Sequence, residues 1–318
     1  MRVGAVVAML GLLTAQASVA QAPPARVQNL KITILSTMLA DKGLGEWGFA
    51  ALVEADGRRW LFDTGARPDT VLQNVSELKI DLSDVSDVIL SHNHGDHTRG
   101  LLTLRREWAK KNPRALSRVH VGDGIFWPRP QASGDANYVL SIKKEYEDTG
   151  GTFAGHTVPE SLAPGVWLTG PVRRQHPERN WSTRGQVKTP AGLVEDTIPE
   201  DMSLVFDTEQ GLVLLSGCGH AGIINTIEQA RRVVRAAPLH AAIGGFHLYA
   251  ASEETLAWTA GKLREFGLVN LVGAHCTGIE AVYRLRQLAG LDRKSAVVGS
   301  VGASFTLAKG IDPLELAR

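Results

Sequence analysis

Cysteine is scarce in this chain: Cys218 and Cys276 are the only two among 318 residues, too few for a disulfide-built scaffold. An excess of one charge is also missing. The 34 Lys and Arg face 33 Asp and Glu, so nothing in the balance points to a polyanion such as nucleic acid as partner. Long apolar runs are absent beyond the N-terminus, and no later stretch suits a bilayer span. What remains, 44% apolar and 21% charged residues, is the composition of a globular protein with a sizeable core. No composition shift marks a linker, so one domain is expected over 30–318.

The first twenty residues read as an address. Arg2 supplies a positive start, Val3 to Thr14 an apolar segment, and Ser18-Val19-Ala20 a small-residue cleavage site, the pattern of a secretory signal peptide over 1–20. The apolar segment is too short and too small in side-chain volume for a membrane anchor to be the better reading. Cleavage after Ala20 leaves an extended tether over 21–29. The expectation is export to a bacterial periplasm, with no membrane span once the signal is removed.

Short β-type runs follow at Leu30–Leu35, Phe49–Glu54 and Arg59–Phe62, the last two joined by the hairpin signal Asp56-Gly57. Helical spacing appears at Asp69–Leu78, with Asp69 as a cap, and at Gly100–Lys110. Between these helices the strand Val88–Leu90 ends in Ser91-His92-Asn93-His94-Gly95-Asp96-His97. Two irregular insertions are expected, near 123–151 and 170–199. The first carries a short strand or helix at Tyr138–Tyr146, and reads equally as a lid or as mobile decoration. The second carries Arg173, Arg174, His176, Arg179, Trp181 and Arg184. The second half then alternates strands with helices. Its strands end in Gly217-Cys218-Gly219-His220, Gly245-Phe246-His247 and His275-Cys276, which places histidines along one rim of a sheet.

Three imidazoles and a carboxylate within six residues form a metal site, since these are the donors that Zn²⁺ and similar cations accept. One tetrahedral ion cannot use His92, His94, Asp96 and His97 together, so distant side chains must complete the site. His220, His247 and His275, each at a strand end, are the candidates. His120, His156, His176 and His240 lack that setting and are expected to be ordinary core, surface or lid residues. An oxidising compartment would permit a Cys218–Cys276 bond. Each cysteine, however, lies within two residues of a histidine, which suggests that both sit near the metal instead.

Ser91–His97 with the upstream Phe62-Asp63-Thr64-Gly65 resembles the metallo-β-lactamase superfamily. Gly217–Gly222, Gly245-Phe246-His247-Leu248 and His275-Cys276-Thr277-Gly278 resemble its dihydropterin–ribofuranosylaminobenzene phosphate synthase-like branch. The resemblance covers about 30–307 and implies an α+β fold, a four-layer αββα sandwich with two divalent ions at one edge. It implies zinc first, with iron or manganese as alternatives. It also implies that His92 and His94 hold the first ion, that Asp96 and His97 hold the second, and that His220 and His275 complete them in turn. Asp63 would orient a ligand from behind, and His247 would either ligate or bind substrate. This chain lacks the superfamily's usual His-Thr-x-Gly turn and a bridging Asp after Leu214-Leu215. His220 falls where that Asp is expected and reads as its substitute.

Two such ions would acidify a water and polarise an electrophile, with Asp96 orienting the water and His247 or an arginine of the second insertion stabilising the developing anion. Ser91, Ser216, Cys218 or Cys276 as a covalent nucleophile fits less well. The expected function is therefore an exported, binuclear metal-dependent hydrolase of a small ester, phosphoester or cyclic amide. The alternatives are an iron-dependent oxidoreductase in the same pocket and a non-catalytic metal- or ligand-binding protein. β-Lactamase activity fits the second-half motifs poorly, and pterin biosynthesis fits an exported chain poorly. Substrate, native metal and oligomeric state are open at this level.

Overall fold

Strands buried on both faces read as unbroken apolar runs, and here they stack two sheets between helices. In the computed structural model the described residues are 1, 25–182 and 184–317. The expected signal peptide beyond its first residue, and tether residues 21–24, lie outside them. The first sheet has eight strands in the spatial order Gly310–Asp312, Ser304–Thr306, Leu30–Ser36, Ala50–Ala55, Arg58–Phe62, Asp87–Leu90, Arg118–Gly122 and Thr152–His156. The second has seven: Glu160–Ala163, Val166–Leu168, Leu204–Thr208, Gly211–Ser216, Leu239–Gly244, Asn270–Gly273 and Ala296–Val298.

The period-two alternation divides each strand between two cores. Ala51 and Val53 face the second sheet, together with Val213 and Leu215 from it. Ala50 and Leu52 point the other way, onto a layer that includes Val71, Leu104 and Tyr146. On the far side, Leu212 and Leu214 pack against Ile227, Leu256 and Leu285. The layers are therefore helix, sheet, sheet, helix, the αββα sandwich expected.

Local signals worked where their chemistry is strict. Asp56 and Gly57 both take positive φ, +46° and +80°, as the two-residue hairpin requires. Ser252 caps Glu253–Glu265 by accepting from Thr255 N at 3.2 Å. Asp69 precedes Thr70–Glu77 but makes no side-chain cap bond; its carboxylate takes the Gln73 amide at 2.8 Å instead. Tyr138–Tyr146 lies within a helix, Tyr138–Asp148, with Val139, Ile142 and Tyr146 buried at helical spacing. The second insertion contains the hairpin Gln186–Thr189 with Gly192–Glu195.

The tether expected over 21–29 needs correction at its end. Val27 is buried, donates its N–H to Asp207 O at 2.8 Å and bridges to Thr208. The folded body thus begins before Leu30. Within both sheets the site-bearing strands run parallel, so the loops after Leu90, Ser216, Gly244 and Gly273 emerge at one rim.

Candidate metal centre

The loop after Asp87–Leu90 is fixed before any ligand is placed. Asp63, at φ +55°, accepts from Ser91 N and Ser91 Oγ, both at 2.8 Å, and from His97 Nδ1 at 2.7 Å. The Ser91 hydroxyl proton is used on Asp63, so its oxygen must accept from His92 Nδ1–H at 2.9 Å. His220 Nδ1 faces the Asn180 carbonyl, which can only accept. His92, His97 and His220 are thereby held with Nδ1 protonated, and the lone pair of each neutral ring sits on Nε2.

Those lone pairs converge. His92, His94 and His220 form one group, and Asp96, His97 and His275 another, with ligand atoms inside each group within 4.8 Å of one another. His92 Nε2 and His220 Nε2 are buried with no hydrogen-bond partner. Leaving them so is costly, and a cation at that point would remove the cost; the side chains fit a metal. In the second group His97 Nε2 lies 3.2 Å from His275 Nε2, and Asp96 Oδ2 lies 3.4 Å from the same His275 atom. The ligand candidates named from the sequence, His92, His94, Asp96, His97, His220, His247 and His275, all fall in these donor sets, with Asp63 behind His97. His247 sits beside His220, rings 4.7 Å apart, half-buried at φ +50° with Nδ1 unpartnered.

The sequence reading of His220 as a replacement for a bridging Asp is corrected here. His220 belongs with His92 and His94, whereas Cys218 stands between the groups. Its Sγ falls in a set with His92 and His97, a second with His220 and His247, and a third with His275 and Cys276. It lies 3.1 Å from His97 Nε2 and 3.2 Å from Cys276 Sγ, and both cysteines are free thiols. Gly217 makes this approach possible, because a Cβ there would lie 2.1 Å from Ser91 Oγ.

Proton affinities follow the packing. Burial pushes His92 and His220 well below the ordinary imidazole value, with help from the neighbouring rings; burial brings His94 down to about 4. His97 moves the other way. Burial opposes its charge, yet Asp63 and then Asp96 raise it to about 9. Burial would raise Asp96, but His97 and His275 hold it below the usual carboxylate range. Burial and the adjoining Cys276 lift Cys218 well above the usual thiol range. A divalent ion on its sulfur would reverse that direction.

Sequence reasoning missed the clamp beneath the loop. Asn93 donates N–H and Nδ2 to buried Glu200 at 3.2 and 2.5 Å. Arg129 Nη2 reaches both Glu200 oxygens at 2.8 Å, and its Nε reaches Asp196 at 2.7 Å. Asp201, which burial raises to about 7, accepts from Ala221 N at 2.8 Å and anchors the loop carrying His220. Both insertions therefore support the site. A cavity of about 880 Å³ opens above it, with Trp47, Arg99, Trp181, Arg184 and Tyr249 on its walls. Of the insertion's other arginines, Arg174 bonds Thr197 O and Arg179 pairs with Glu195.

The remaining histidines stand apart. His120 and His156 are buried and share a 2.9 Å hydrogen bond, with Asp87 behind the first and Glu160 behind the second. His176 pairs with Glu228, and His240 lies beside Asn270.

Comparison with known proteins agrees with this geometry. The metallo-β-lactamase superfamily model matches residues 48–181. The 7,8-dihydropterin-6-methyl-4-(β-D-ribofuranosyl)-aminobenzene-5'-phosphate synthase of Methanocaldococcus jannaschii is 30% identical, over 80% of this chain and 90% of its own. Among solved structures, Tm1679, titled a metal-dependent hydrolase of the β-lactamase superfamily, aligns with a TM-score of 0.69 at 24% identity, over 91% of this chain and all of its own. Zn²⁺-bound PqqB from Methylobacterium extorquens aligns at 0.51 with 15% identity, over 86% and 99%. These two likenesses bear on the fold. The chain belongs to the metallo-β-lactamase superfamily, in the branch that resembles the dihydropterin–ribofuranosylaminobenzene phosphate synthase proteins.

Proposed function

We propose that this protein is a binuclear metal-dependent hydrolase of small esters, phosphoesters or cyclic amides. The observation that carries the reading is the pair of buried, unpartnered Nε2 atoms on His92 and His220 beside a second complete donor group, all under an open cavity. In this reading His92, His94 and His220 hold one divalent ion, and Asp96, His97 and His275 hold the other. Cys218 lies within reach of both. Two ions so held supply Lewis acidity and acidify a water towards neutrality. Zinc suits the mixed nitrogen, sulfur and oxygen donors, and iron or manganese would also be accepted by parts of the set.

The chain's own groups do the rest. Asp63 fixes the tautomer of His97 and the position of Ser91. Asp96, half-buried at the cavity floor, orients the attacking water and receives its proton. His247 faces the cavity and stabilises negative charge that develops on the substrate. Arg99 and Arg184, both exposed on the cavity wall, attract an anionic part of the substrate.

The test begins with metal analysis of the purified protein and continues with phosphodiesters, lactones, aryl esters and β-lactams. Turnover that is lost in His94→Ala supports the hydrolase. Two bound metals with no cleavage anywhere in the panel would sink it. A second reading takes the name of the methanogen relative, a synthase; it is favoured if the panel is silent and the product in that name is formed. We further propose export, on the strength of the charged start, apolar run and Ser18-Val19-Ala20 site. N-terminal sequencing of the protein from its native host decides it: a mature start at Gln21 supports export, and a retained Met1 refutes it.

A further inference from the structure

His120 and His156, both 5% exposed, belong to no donor group of the metal centre. Val119 and Val121 face the helical layer, so strand alternation turns His120 towards the second sheet, beside Ile89 of the neighbouring strand. His156 ends Thr152–His156, the edge strand of the first sheet. His120 Nδ1 lies 2.9 Å from His156 Nε2. Beyond them, His120 Nε2 lies 3.0 Å from Asp87 Oδ1, and His156 Nδ1 lies 2.8 Å from Glu160 Oε2. Asp87 starts a strand of the first sheet and Glu160 starts the edge strand of the second. The row of carboxylate, imidazole, imidazole and carboxylate thus joins the two sheets at one edge.

Counting hydrogens fixes the charge of the row. An ionised carboxylate only accepts. Burial would raise Asp87, but His120, the Ser86 hydroxyl and Arg118 hold it below the usual carboxylate range. Glu160, its side chain 59% exposed, reaches water, where a carboxylate is ionised at neutral pH. Both outer nitrogens, His120 Nε2 and His156 Nδ1, are therefore N–H. Two neutral rings then have no hydrogen left, and their inner nitrogens would oppose bare lone pairs at 2.9 Å. One more proton makes that contact an N–H···N bond of ordinary length and places a single positive charge between two negative ones. Burial pushes His156 below the ordinary imidazole value, Glu160 opposing and His120 assisting, so the extra proton resides on His120.

We propose that this shared proton is a pH-sensitive latch between the edge strand of the first sheet and the second sheet. Losing it opposes two lone pairs, and gaining a second opposes two N–H groups. Other charged groups face the row without replacing it. Arg118, on the strand of His120, bonds Asp87 at 3.0 Å. Arg58, Arg59 and Asp84 line a cavity of about 400 Å³ onto which Asp87, His120 and Glu160 open, and Arg59 is paired with Asp84. From the helical layer Tyr146 lies within electrostatic reach of Asp87, its phenol kept neutral by burial; Asp123 donates its N–H to His156 O at 3.0 Å. An unfolded histidine releases its proton near pH 6.5, whereas the folded pair keeps one. The latch is accordingly strongest around that pH and weakens as pH rises past the pair's own release point. It weakens again in acid, as His156 is forced to charge.

Nitrogen-15 NMR of the histidine-labelled protein, as purified, reads the proton directly. At pH 7.5 one ring should show two N–H nitrogens and its neighbour one, with coupling across the shared hydrogen bond. His120→Gln and His156→Gln assign the pair by removing its signals; should either fail to fold, the response to Glu160→Gln identifies it. Two neutral rings at pH 7.5 would overturn the proposal. Glu160→Gln, at an exposed side chain, removes one flanking charge and should lower the pH at which the pair releases its proton by about one unit. An unmoved release point would overturn the tie to the second sheet. Hydrogen exchange then tests the latch itself. Above the release point the amide protection factors of Thr152–His156 should drop about tenfold, with those of Leu239–Gly244 unchanged. Protection that stays constant across the release point would overturn the latch.

Discussion

Arg129 and Glu200 meet at 2.8 Å beneath the metal loop, the guanidinium 5% exposed and the carboxylate fully buried. One comes from the first insertion and the other directly follows the second. Because Glu200 also accepts from Asn93, the pair sets the height of the loop that carries His92 and His94. Glu200→Gln leaves Arg129 with a buried, half-compensated charge. Breaking such a pair costs about 3 to 5 kcal/mol. Urea unfolding should reveal that loss, and the variant should bind zinc more weakly. Unchanged stability would mean that the clamp is ornamental.

Asp63 holds His97 in the tautomer that offers Nε2. Asp63→Asn can present its amide to the ring, which favours the wrong tautomer and removes a negative charge from behind the ligand. Loss of a partner in this position typically weakens metal binding by about 10- to 100-fold. Competition titration against a chromophoric chelator measures it. The site that contains His97 should be the one affected, leaving about one zinc per chain after dialysis.

The raised proton affinity of His97, about 9 in the metal-free protein, makes metal uptake a proton-releasing event. Below pH 9 the ring is an imidazolium and must lose a proton before Nε2 can ligate. Apparent affinity at this site should therefore fall about tenfold per pH unit as pH drops from 9 towards 6. Calorimetry at pH 7.5 in buffers of different ionisation enthalpy should count at least one proton released. The sign for metal-free stability is the opposite one. A folded-state value above the ordinary 6.5 gives stability that is fully present below 6.5 and lost as pH climbs through 9.

Cys218 is expected to ligate through sulfur. Cobalt-substituted protein should show a near-ultraviolet thiolate-to-cobalt band that disappears in Cys218→Ser. Cys276→Ser should retain it, since Cys276 shares one donor set, with Cys218 and His275, whereas Cys218 belongs to three. A band that survives the first change and vanishes in the second would reverse the assignment.

The sequence made His92, His94, Asp96 and His97 legible because they are contiguous and end a strand whose period is plain. His220 and His275 were reachable too, through the recurrence of histidine at strand ends. Cys218 was placed only near the metal, since nothing in Gly217-Cys218-Gly219-His220 says which side chain points inward. That choice depends on Gly217 passing within contact of Ser91, a tertiary fact. Arg129, Asp196, Glu200 and Asp201 were hidden for a related reason. They lie in segments without periodicity, and their partners are tens of residues away. The strand Thr152–His156 was also unread, having only part-buried or exposed residues before its final histidine.

The short bridge at Val27 acquires weight from its position. Val27 precedes a strand of the first sheet but bonds to Asp207 of the second, at the end of the sandwich away from the histidine rim. Arg26 adds an ion pair to Glu209 at 2.7 Å on the same side. The two sheets are thus fastened at both extremities, by main chain at one and by converging donors at the other. Removal of residues 1–20 would keep the first fastening. A protease cutting a few positions later would release it, and the register of the sheets would then rest on the core packed between them and on the donors.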